Sequence, residues 1–164
     1  MSASFSSPAP VPSRRAAAPR AIVAAGSLCG VLDISAAFVT WYLWRGIMPA
    51  RILKGIASGL LGPRALAGGD AMAALGLALH FLIAFSAAAV FWLASRKLPF
   101  LIESAARAGV LYGIAVYFVM YWVVLPLSQY RRTPFAIAPA AVAVATHIVC
   151  VGLPIALMVK RYSR

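Results

Sequence analysis

Apolar residues dominate this chain in four long runs, and polar residues gather in the stretches between them. The runs cover residues 21–44, 70–95, 108–127 and 135–159. Crossing about 30 Å of hydrocarbon takes roughly 20 residues of α-helix, so each run predicts a transmembrane helix. Trp41, Tyr42, Trp44, Trp92 and Phe135 lie near run ends, where aromatic rings favour the membrane–water boundary. The stretch 128–134 is short, which makes the third and fourth helices antiparallel neighbours.

The first connection has a different pattern. In residues 49–62, Ile52, Leu53, Ile56 and Leu60 fall on one side of a helix and Arg51, Lys54 and Ser58 on the other. Pro49 suits a first helical position. This predicts a short helix lying in the membrane interface. A re-entrant segment is the alternative, because Gly55, Gly59 and Gly62 permit close backbone approach. Residues 1–19 are rich in Ser, Pro and Ala with no apolar period, which predicts a disordered basic tail. Ser13-Arg14-Arg15 has the look of an export signal, and Gly26-Ser27-Leu28-Cys29 that of a lipoprotein cleavage box. The run after the arginines is longer than the roughly 7–15 residues of a signal core, and Leu28 is too large for the position before the cysteine. The first run therefore reads as a membrane helix that is retained.

Composition sharpens this picture. Of the 164 residues, 63% are hydrophobic and 11% charged, with three acids in all. Soluble domains carry about a quarter charged residues. The expected fold is an all-α polytopic membrane protein, a compact bundle of four transmembrane helices with the lipid bilayer as its partner. The formal charge of +12 would suggest nucleic acid in a soluble protein. Here the cations flank apolar runs and do not interleave with aromatics on a polar face, so no nucleic-acid partner is expected. With the amino terminus inside, Arg14, Arg15, Arg20, Arg96, Lys97, Arg107, Lys160, Arg161 and Arg164 fall on the cytoplasmic side. Arg45, Arg51, Lys54, Arg64, Arg131 and Arg132 fall on the other. The excess inside predicts both termini in the cytoplasm.

Helices in lipid associate through small residues. The first helix offers a stripe of Gly26, Cys29, Gly30, Asp33, Ala36, Ala37 and Thr40, the second Ala73, Gly76, His80, Ala84, Ala87 and Ala88. In the third, Gly109 and Gly113 lead into Tyr117 and Tyr121; the fourth offers Ala140, Ala143, His147, Cys150 and Val151. The i, i+3, i+4 spacing puts each stripe on one helix face. The two GxxxG pairs, Gly26/Gly30 and Gly109/Gly113, serve either the bundle or a homo-oligomer. Together with the single central histidines of the second and fourth helices, they hint at a duplicated hairpin.

Three ionisable side chains lie deep in the runs: Asp33, His80 and His147. All three sit on the small-residue stripes and near one depth, so they are expected inside the bundle. A mid-membrane aspartate costs about 2.5–3.5 kcal/mol on insertion scales, and pairing with a histidine would offset that. Cys29 and Cys150 each lie about one turn from these residues. Three readings follow. The cluster fixes helix register through buried hydrogen bonds; or it handles protons, since histidine changes charge near neutral pH; or His80 and His147, with Cys29 and Cys150, hold haem b or a transition metal in a redox protein. No cofactor is needed for the first two. There is no GxSxG, P-loop or HExxH, and no enzymatic activity is expected. Asp70 and Glu103 stand at helix starts, where capping and the helix dipole account for them.

The run His80-Phe81-Leu82-Ile83-Ala84-Phe85, then Leu98-Pro99, Gly109, Gly113, Pro126, His147 and the basic end Lys160-Arg161, resembles the YagU-like family of small bacterial inner-membrane proteins. The likeness spans residues 80–161 and does not include the helix that carries Asp33. It implies a link to survival in acid and brings no catalytic residues.

Overall fold

The computed structural model describes residues 14–131 and 135–163. Among these residues every regular element is a helix. Four helices are long and apolar enough to cross a membrane: the first span within Arg14–Arg45, the second Asp70–Ser95, the third Ala105–Leu127 and the fourth Ile137–Tyr162. Val31, Val39, Leu82, Val90, Leu111, Phe118 and Val149 project from them uncovered. Aliphatic surface on all four helices is what lipid requires, and the chain is built as a multi-pass membrane protein.

The first helix begins at Arg14, ahead of the boundary expected from the 1–19 tail. The alanines at 16–18 have the strongest helix propensity and carry the helix back through Pro19. The rest of the expected tail, residues 1–13, lies outside the described residues. Two single helical turns, Arg64–Ala67 and Phe100–Glu103, punctuate the connections.

The connecting helix, Pro49–Leu61, is amphipathic with proline in its first turn, but its faces differ from the expected ones: Ser58, expected to face away with Arg51 and Lys54, is buried, its hydroxyl satisfied by Gly55 O, and Leu60 is exposed. The helix ends at Gly62, whose φ of 73° favours a residue without Cβ. This helix docks on the bundle. Gly76 of the second span lies against the Leu53 backbone, and a Cβ at that position would fall on the Leu53 carbonyl. From the other side, Gln129 after the third span donates its backbone N–H to Gly59 O (2.8 Å) and its side-chain Nε2–H to Leu60 O (2.7 Å). Ala57 and Ser58 are buried between them.

The first span packs on the second and the fourth, and the third packs on the fourth. Both GxxxG faces find their partners inside the bundle. Gly26 and Gly30 receive the rings of Phe85 and Phe81; Gly109 and Gly113 lie against the backbone of residues 147–153. The fully packed core gathers at one end, where Ala25, Ala88, Phe91, Ala108, Ile155 and Val159 meet. The other end, under the connecting helix, is more loosely filled.

Candidate functional site

Each of the last two spans contains a widened turn. The N–H of Leu125 bonds to Met120 O and that of Leu153 to Ile148 O, each reaching back five residues instead of four. The cause lies one residue on. Pro126 and Pro154 have no N–H, so the carbonyls of Trp122 and Cys150 lose their regular donors. The ladder adjusts by a π-type turn, a feature often found at functional sites. The two π segments, Met120–Val124 and His147–Gly152, both border the same interior space.

That space is a cavity of about 350 Å³. Its floor is the edge of the packed core, at Cys29, Ala84 and Val151. Ile83, Val116 and Met120 form apolar walls, and Ile56 of the connecting helix and Leu125 also line it. Asp33, His80 and His147 all line it as well. Three side chains from three spans thus line one cavity. Cys29 lines it too. Cys150 is half-buried and stands outside the lining; both thiols are free.

The two rings are oriented by backbone carbonyls. His80 Nε2–H donates to Gly30 O across the helix pair at 2.9 Å, possible because glycine leaves that carbonyl open. His147 Nδ1–H donates to Ala143 O one turn back at 2.8 Å. A carbonyl only accepts, so each bonded nitrogen carries the proton. In the neutral rings, Nδ1 of His80 and Nε2 of His147 remain as acceptors. The Tyr117 ring meets the His147 ring edge to face at 5.7 Å and stacks on Tyr121 at 6.0 Å.

Asp33 is different. Among the described residues no donor lies within hydrogen-bond distance of its carboxylate, and it forms no ion pair. Among the described residues no half-buried or buried side-chain nitrogen or oxygen is both sealed from open space and without a partner. The carboxylate oxygens are therefore open, on a residue that lines the cavity. The direct Asp33–His pairing expected from depth alone is not formed. The side chains share a cavity, not a bond.

Among the described residues no three of His, Cys, Asp and Glu come together closely enough to hold a metal ion. Tyr117, Tyr121, Ile56 and Gly152 were not singled out as site residues by spacing. The tyrosines did continue the Gly109/Gly113 stripe, which was the available signal. Comparison with known proteins adds no assignment: no protein-family model, curated protein or solved structure matches this chain, and nothing in those comparisons bears on the YagU-like resemblance.

Proposed function

We propose that this chain is a small bacterial inner-membrane protein, non-enzymatic, with a homeostatic role that responds to pH through Asp33, His80 and His147. The observation that carries this reading is the unpartnered Asp33 carboxylate in a cavity shared with two histidines. Imidazole is the side chain whose charge changes between about pH 5 and 8. Protonating either ring creates a cation facing the same space as the carboxylate and so creates an attraction the neutral cluster lacks. Among the described residues, Cys29 of the first span and Tyr117 and Tyr121 of the third also line the cavity, and the connecting helix contributes Ile56. With both termini in the cytoplasm, the packed end of the bundle faces inward and the connecting helix covers the cavity from outside. The acid-survival association of the YagU-like family agrees with this direction.

The chain has two histidines, so their ring signals are assignable by NMR from single substitutions. The response of those ring signals to lowering the pH from 8 to 5 is expected to differ between wild type and Asp33→Asn in the reconstituted protein. Cells carrying Asp33→Asn or His80→Ala are expected to recover cytoplasmic pH more slowly than wild type after acid shift. Flat ring signals over that range, together with normal recovery in both variants, would leave the cluster a purely structural one.

The haem or metal reading on His80, His147, Cys29 and Cys150 predicts something else, a coloured or metal-loaded protein. Our reading expects a purified chain without a Soret band or stoichiometric metal. A Soret band lost in both His80→Ala and His147→Ala would reverse the order of the two readings.

A further inference from the structure

We propose that the cavity binds a small primary ammonium ion with an apolar body, such as an arylalkyl amine. The inference rests on the preceding reading only in using the same open carboxylate. It does not require the cluster to titrate.

The argument begins with what the wall offers. About 350 Å³ lies near the lower end of the range for small-molecule sites, which runs from roughly 300 to 1,000 Å³. Most of the lining is hydrocarbon, so the body of a ligand must be apolar too. Of the polar side chains in the lining, the Tyr117 and Tyr121 hydroxyls and the Cys29 thiol can donate as well as accept, and the others offer acceptors. Both histidines spend their one N–H on a backbone carbonyl, at Gly30 and Ala143, and turn a lone pair elsewhere. Asp33 adds two acceptor oxygens and, when ionised, a negative charge without a partner among the described residues. Among the described residues no arginine or lysine lines the cavity.

A wall of this kind selects its occupant by exclusion. An anion meets the carboxylate and is repelled. A neutral hydrocarbon leaves desolvated acceptors unpaired, at a cost of about 1–3 kcal/mol each. A metal ion would need converging ligands, and no group of three is present among the described residues. An alkylammonium brings one positive charge and three N–H donors; the Asp33 carboxylate answers the charge, and a single ion pair needs no converging set of three ligands. The stacked pair Tyr117 and Tyr121 supplies aromatic surface, which attracts a cation or stacks on a ring.

The test uses the full chain in lipid nanodiscs and radiolabelled 2-phenylethylamine, which stays protonated through pH 8 as lysine does. Saturable binding at one site per chain is expected. Asp33→Asn should weaken it about tenfold or more, the scale of a lost charge-assisted hydrogen bond, while Asp33→Glu should retain most of it. Unlabelled 2-phenylethanol, uncharged and of similar size, should compete about tenfold less well than the unlabelled amine. Ile56→Trp, outside the spans, should also reduce binding by filling the space without touching the acid. Size-exclusion and helical circular dichroism profiles establish that each variant is assembled. No saturable binding in wild type, or equal binding in assembled Asp33→Asn, overturns the proposal. If binding is absent but the histidine rings still titrate, the amine falls and the pH reading stands. If affinity is constant from pH 5 to 8 and Asp33→Asn remains impaired, the amine stands and the pH reading falls.

Discussion

Gly152→Ala is expected to destabilise the bundle. At this position the third and fourth spans cross backbone to backbone. A Cβ on Gly152 would strike the Gly109 carbonyl and lie 2.5 Å from Gly113 N and 2.7 Å from its Cα. Main-chain atoms of a membrane helix cannot step aside as a side chain can, so the two helices must separate along the whole crossing. Overpacking a rigid core costs about 1–3 kcal/mol and at times more. For a chain of this size that is a fall in midpoint temperature of roughly 2–12 °C. The buried Cys29 thiol reports it: in a Cys150→Ser background, its alkylation on heating in detergent should begin earlier in Gly152→Ala. Gly26→Ala supplies the contrast. Its added Cβ meets mainly the Phe85 ring, which can rotate toward lipid, and the loss should be smaller. The reverse order would show that the third and fourth spans are not held by this crossing.

Gly109 and Gly113 were visible in the sequence as a GxxxG pair; Gly152, their counterpart, was not. A lone glycine in an apolar run carries no period, and its meaning exists only once the other helix is laid against it. The same distinction runs through the molecule. The spans, the amphipathic connecting helix and the shared interior position of Asp33, His80 and His147 follow from spacing along single helices, which is local information. The docking of the connecting helix does not. It depends on Gly76 meeting the Leu53 backbone and on Gln129 reaching Gly59 and Leu60, contacts between segments far apart in sequence. Ile56 was legible as part of an apolar face but not as part of the cavity lining. The two hairpins also prove less alike than their matching glycines hint. In one, glycine receives aromatic rings; in the other, glycine receives backbone, and only the second hairpin contains π turns.

Those turns lead to the second large expected effect. Pro154→Ala restores an N–H that can serve the Cys150 carbonyl, and the fourth span can then close into a regular α-helix. Removing the extra residue of a π turn changes the register by one residue, or about 100° of rotation at 3.6 residues per turn. The C-terminal half of the span is anchored in the core by Ile155, Ala156 and Val159, all fully buried. The rotation must therefore fall on the half that holds Ala143 and His147, which would carry the imidazole off the cavity wall and away from Tyr117. The edge-to-face contact of those rings, 5.7 Å between centroids, gives the His147 ring protons a ring-current shift. That shift should collapse in Pro154→Ala while the His80 signals, tied to Gly30 of the first span, stay near their wild-type positions. Retention of the His147 shift would mean that the Gly113 and Tyr117 contacts hold the wide turn without help from proline, and the cause of the π segment would then lie in packing between helices, not in the missing donor.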